Sequence, residues 1–433
     1  MTSEICVMNR HALVLAADSA ATVSSWESGR KEERYFKGSN KIFQISSTEP
    51  IGAMIYDSAD LQRVPWEIIV KTFRKHLGAN HFSTTAEYAQ EFFRFIESSR
   101  SLFPQDYLRD LLIENLDQIM IRYLRMIEDD DRVKSLAPDV AAMIDAKTVL
   151  LDEYHQAIIA HPIRPPFSQV NIDAVRAEHL DRLKQEAKVD LRLFSADAPL
   201  EVEVLAELGI QTLFRRPDYF LSETGIVIAG YGTDEFFPSY KEYSCLGFLG
   251  DHLCFSEQGE MKITPRDSGF FKAFATTAMA DTFTMGFGPD VYSTGRTHLR
   301  TTLREFAGKI DAETGSSAPS LEEFISDAIT DHTKKWTDDV YEKHAQPLRR
   351  VIGSLPLDEM ASLAETLVML ESLKEKVTRP SESVSGPIDV AIITRHEGFV
   401  WAKRKLYFDP KINSRFFLRQ KSEYEHLAEI TDV

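Results

Sequence analysis

This chain is short of the features that binding nucleic acid, crossing a membrane or covalent cross-linking would require. Basic residues are outnumbered, 50 Lys and Arg against 67 Asp and Glu, for a formal net charge of −17. That balance argues against a phosphate-rich or anionic-membrane partner. No stretch approaches the ~18 consecutive apolar residues of a membrane span. The start of the chain also lacks a basic segment followed by an apolar run, so no membrane partner is expected and the chain is expected to be cytoplasmic. Cysteine is scarce. Cys6, Cys245 and Cys254 are too few and too scattered for a disulfide framework, and no C-x-x-C pair is present to ligate a metal. Cys6 is expected simply to pack within a strand. The twelve histidines read as core and surface positions. There is no internal repeat, no low-complexity tract and no G-x-x-x-x-G-K-[ST] phosphate loop. The remainder, 43% hydrophobic and 27% charged over 433 residues, suits a globular protein with one large domain or several small ones.

The informative residues lie at the beginning. Ile5-Cys6-Val7-Met8 and Leu13-Val14-Leu15-Ala16-Ala17 are short apolar runs separated by a polar turn at Asn9-Arg10-His11, which reads as a β-hairpin. The second run ends on Asp18. A loop then leads to Asn40-Lys41-Ile42-Phe43-Gln44-Ile45, a strand opened by a lysine. Loss of Met1 would make Thr2 the first residue, and methionine removal is favoured when the second residue is small. A threonine hydroxyl beside its own α-amine, with a lysine and an aspartate, constitutes an N-terminal nucleophile site. The α-amine has an ordinary pKa near ~8 and can accept the hydroxyl proton at neutral pH.

Farther along, residues 50–56 read as another strand, and a helix is expected over 61–77 with Pro65 in its first turn and Gly78 as its stop. A second helix fits 84–99. Apolar residues at helical spacing from Leu108 to Ile127, and again over 140–160 and 171–188, predict a helical excursion spanning roughly 101–222. The acidic run 128–131 reads as a solvated turn. Residues 225–232 and 237–243 read as strands. Helices are expected over 270–283, 298–306, 321–344 and 358–376, with a second excursion near 290–352.

The C-terminal part adds Ser383-Val384-Ser385-Gly386-Pro387 and then Ile388-Asp389-Val390-Ala391-Ile392-Ile393-Thr394, a turn, and Gly398-Phe399-Val400. With the Thr2-to-Asp18 spacing of sixteen residues and Lys41 at the next strand, these motifs resemble the proteasome β-subunits and the bacterial HslV peptidase, which are N-terminal-nucleophile (Ntn) hydrolases. The resemblance covers roughly half the chain. It implies an α+β fold, a four-layer α-β-β-α sandwich carrying helical insertions. All of 1–433 would then be one Ntn-hydrolase-like domain, with strands drawn from 5–56, 225–260 and 387–408.

The resemblance also implies a site. Thr2 would be the nucleophile, with Lys41 lowering its pKa and Asp18 orienting Lys41. Glu382 and Ser385 would stand where the family has a supporting aspartate and serine, and Ser268 is a weak match to a further supporting serine. The oxyanion-hole N–H would come from Tyr56 or Asp57, with Met54 as a neighbouring pocket residue. The reaction would be acyl transfer to Thr2 and hydrolysis by water, on a peptide or amide substrate, with no metal or organic cofactor and with a homo-oligomer as one expected assembly. The Lys41 ammonium should lie about 3 Å from both the Thr2 hydroxyl and Asp18. Alanine at Thr2 or Lys41 is expected to leave stability nearly unchanged. A threonine peptidase, an amidase for a small amide and a non-catalytic interaction scaffold remain open as functions.

Overall fold

The computed structural model describes residues 2–27, 30–137, 139–194, 202–267, 269–315, 321–378, 384–405 and 408–431. The chain opens with hairpin β1 (Ser3–Met8) and β2 (Leu13–Ala17), then β3 (Ala20–Glu27), β4 (Arg30–Lys37), β5 (Ile42–Gln44) and β6 (Ile51–Tyr56). The two-residue strands β7 (Asp60–Leu61) and β8 (Val64–Pro65) lead into α1 (Trp66–Leu77) and α2 (Thr85–Ser98). Five helices follow: α3 (Gln105–Asp129), α4 (Asp131–Lys134), α5 (Val140–Ile159), α6 (Gln169–Phe194) and α7 (Val202–Arg215). Strands resume with β9 (Thr224–Gly230), β10 (Ser239–Leu249), β11 (His252–Lys262) and β12 (Phe270–Ala275). Then come α8 (Ala278–Met285), α9 (Pro289–Thr314), α10 (Leu321–Val340), α11 (Gln346–Ile352) and α12 (Leu357–Thr378). The described chain closes with β13 (Asp389–Thr394), β14 (Gly398–Lys403) and α13 (Ser414–Thr431).

Two five-stranded sheets form, in orders β12-β1-β2-β13-β14 and β11-β10-β9-β6-β5. Every pairing in them is antiparallel. The two-residue period of a strand divides their side chains between two cores. Cys6, Met8, Leu13 and Leu15 of the first sheet meet Met54, Val227 and Ala229 of the second. Ile5, Val7, Val14 and Ala16 face the other way, onto Met360, Ala364, Leu367 and Val368 of α12 and Ala280 of α8. The second sheet sends Ala53, Ile55, Ile226 and Ile228 outward onto Trp66, Val70 and Phe73 of α1 and Phe92 of α2. Strands covered on both faces need no polar alternation, which is why these runs are continuously apolar. Helices α3, α5, α6 and α7 bury a cluster of their own that reaches Leu246, Leu249 and Cys254 at the edge of the second sheet.

Three expectations change. Residues 270–275 are not the start of a helix but the edge strand β12, registered against β1 with Glu4 opposite Phe274. The helix expected from 61 begins at Trp66, because Gln62 and Arg63 take left-handed φ of 49° and 69°. There the Gln62 side-chain amide pairs with both backbone groups of Phe248, at 2.9 and 2.7 Å. Finally, the presumed loop after Thr22 is a hairpin, β3 on β4, with Ala20 opposite Lys37.

Candidate active site

Thr2 lies just before β1, with its carbonyl accepting from the Thr276 amide at 3.0 Å. Its side chain is nearly buried, at 6% exposure. The hydroxyl donates to Glu4 Oε2 at 3.1 Å and accepts from the Asp57 amide at 3.4 Å. Asp57 follows β6 and adopts φ of 67°, a left-handed conformation that aspartate tolerates better than most residues. This turn is what aims the Asp57 N–H at Thr2.

Asp18 and Lys41 are brought together as expected. Lys41 Nζ donates to Asp18 Oδ1 at 2.5 Å, and both side chains are buried, at 5% and 2% exposure. Asp18 also accepts from the amides of Ser3 (3.1 Å), Ala20 (3.0 Å) and Ser385 (3.1 Å). Ser385 therefore reaches the site through its backbone N–H. Glu382 lies outside the described residues, as do Met1 and Ser268.

The direct bond expected between Lys41 and Thr2 is replaced by an intervening residue that sequence reading missed. Glu4 is completely buried, with Oε2 on the Thr2 hydroxyl and Oε1 3.2 Å from Lys41 Nζ. Burial pushes its carboxyl up to about 8 despite the opposing pull of Lys41. The only sequence signal was a charged residue next to the apolar run Ile5-Cys6-Val7-Met8 of the same strand.

Met54 is not a pocket residue. It is fully buried in the core between the sheets, beside Ile42 and Val227, and does not line the cavity. Tyr56 does line it, but does not block it. Its ring lies over Gly225, where a Cβ would come within 1.9 Å of the ring. Its hydroxyl donates to Glu242 Oε1 at 2.8 Å, and Glu242 pairs with Lys272. The cavity, of about 490 Å³, has Thr2, Lys41, Tyr56, Asp57 and Glu223 among its walls. Among the described residues no group of three or more His, Cys, Asp or Glu could hold a metal ion, and no helix is long and apolar enough to cross a membrane.

The left-handed turn gives a stability prediction. Asp57→Gly keeps the amide and removes the Cβ, so thermal melting should show no loss. Asp57→Val places a β-branched residue at the same φ and should cost about 1–3 kcal/mol.

No family model matches this chain, and no curated protein matches it. Among solved structures, the Gly-1 mutant of Anbu from Hyphomicrobium sp. strain MC1 is similar at 10% identity and a TM-score of 0.24, over 100% of this chain and 97% of that one. The resemblance to proteasome β-subunits and HslV therefore does not stand as membership of that family. The motifs that suggested it are matched by no family model, and the structural likeness is too low to carry an argument.

Proposed function

We propose that this chain is an amide hydrolase in which Thr2, made N-terminal by loss of Met1, is the nucleophile. The observation that carries this reading is the position of the Thr2 hydroxyl. It lies at the wall of a cavity, held between a buried carboxylate and the Asp57 amide, next to the Lys41–Asp18 pair. The two sheets and their outer helices are read as a four-layer α-β-β-α core. Segments 101–222 and 290–352 are read as helical excursions from a single domain.

In the proposed reaction Thr2 Oγ attacks the carbonyl carbon of a peptide or small amide. Two bases are available for the hydroxyl proton, the Thr2 α-amine through a water and the buried Glu4 carboxylate that the hydroxyl contacts. The carbonyl π pair moves onto oxygen, where the Asp57 N–H can donate to it. Collapse breaks the C–N bond, and the proton leaves with the amine. Water then hydrolyses the threonine ester. Lys41, fixed by Asp18, favours the developing negative charge on Oγ.

The test is acylation by a β-lactone, read by intact mass spectrometry. Chains that have lost Met1 should gain one reagent mass, and Thr2→Ala should gain none. Processed chains that never label would overturn the reading.

A further inference from the structure

We propose that Glu4 is a catalytic residue, the direct proton acceptor for the Thr2 hydroxyl and the donor that returns the proton to the leaving amine. This rests on the reading of Thr2 as nucleophile.

The division of partners in the buried cluster supports it. One ammonium, Lys41, lies between two buried carboxylates, Asp18 and Glu4. Asp18 collects three backbone N–H donors in addition to Lys41. Glu4 has no backbone donor among the described residues. Among those residues its Oε2 accepts only the Thr2 hydroxyl, and its Oε1 lies beside Lys41 without a well-formed hydrogen bond. Asp18 is thus an anchor for Lys41, whereas Glu4 is free to exchange a proton. Among the described residues, the titratable groups facing Glu4 are Asp18 at the end of β2, Lys41 before β5, and Tyr56 at the end of β6. A base whose pKa lies near the working pH combines a useful unprotonated fraction with adequate basicity, and burial places Glu4 in that range.

The steps balance. As Thr2 Oγ bonds to the carbonyl carbon, its proton moves to Glu4 Oε2 along the existing hydrogen bond, whose oxygens are 3.1 Å apart, and the carbonyl π pair moves to oxygen. When the C–N bond breaks, that proton passes to nitrogen. In the second half water gives a proton to Glu4 as it attacks the ester, and Glu4 returns it to Oγ.

The experiment compares β-lactone labelling rates of processed wild type, Glu4→Gln and Glu4→Asp between pH 6 and 10. Glu4→Gln preserves shape and should slow labelling by about 10²-fold, the usual scale of general-base catalysis. Glu4→Asp should recover part of the loss. A purely structural Glu4 would leave the shape of the pH–rate profile of labelling the same in wild type and Glu4→Gln, whereas a general base gives wild type a rise through the pKa of Glu4 that the variant lacks. The pH dependence of stability checks the raised pKa separately. The folded-state pKa of about 8 lies above the ordinary carboxyl value of 4.5, so the proton stabilises the fold fully below ~4.5 and that stabilisation is lost as pH rises through ~8. The wild-type melting temperature should therefore fall over this window, and that of Glu4→Gln should fall less. Glu4→Gln labelling within twofold of wild type, with folding intact, would overturn the role of Glu4 and leave Thr2 as nucleophile. Wild type that never labels would remove both.

Discussion

Lys41→Ala should destabilise the protein by about 3–5 kcal/mol and abolish acylation of Thr2. Removing one partner of a buried ion pair leaves an uncompensated charge, and that is where costs of this size arise. Here two carboxylates would be stranded, since Asp18 and Glu4 share this ammonium and both are essentially buried. The sequence alone suggested that alanine at this position would be neutral. The structure changes that expectation, because Lys41 is 5% exposed and lies between two buried carboxylates. Stranded carboxyls can escape by taking up protons. The loss measured by denaturant unfolding should therefore be smaller at pH 5 than at pH 8. Equal stability of variant and wild type at pH 8 would show that the cluster is not buried as described.

Trp66→Ala should cost a similar amount, about 3–5 kcal/mol, the range for truncating a large buried aromatic. Trp66 is fully buried, stacks on Phe92 with ring centroids 6.2 Å apart, and donates from Nε1 to the Thr224 hydroxyl at 3.0 Å. The Thr224 hydroxyl lies 3.4 Å from the Tyr56 carbonyl and 3.2 Å from the Ser58 carbonyl, so this chain of contacts brackets the turn that carries the Asp57 amide. Trp66→Phe retains most of the packing and removes only the N–H. It should cost about 1 kcal/mol in unfolding free energy, the net worth of one hydrogen bond. It should also slow β-lactone labelling of Thr2 more than so small a loss of stability would suggest. Unchanged labelling in Trp66→Phe would mean that the turn is held without it.

The parts of the site that could be read from sequence are those fixed by local pattern. Thr2, Asp18 and Lys41 stand at the ends of strands whose apolar runs mark them, and Lys41 and Asp18 do meet. The Asp57 amide was one of two candidates, and its left-handed φ explains why this one points at Thr2. Glu4 was not legible, because a charged residue in a strand usually faces solvent. Its burial depends on β12 pairing along β1, a contact with residues some 270 positions away. The same strand was misread as helix because a short apolar run such as Phe270-Phe271-Lys272-Ala273-Phe274 does not distinguish the two periods. Met54 was assigned to the pocket by proximity in sequence, but its face of β6 belongs to the core between the sheets. The room for the Tyr56 ring comes from Gly225, on the neighbouring strand, which no local pattern around Tyr56 announces.

The most direct measurement is peptide mapping after exposure to a peptide epoxyketone, which engages a threonine hydroxyl together with a free α-amine on the same residue. A single adduct on Thr2 is expected in chains that have lost Met1. It should be absent from Thr2→Ala and from any fraction that retains Met1. An adduct elsewhere, or processed and folded chains carrying none, would contradict Thr2 as the nucleophile.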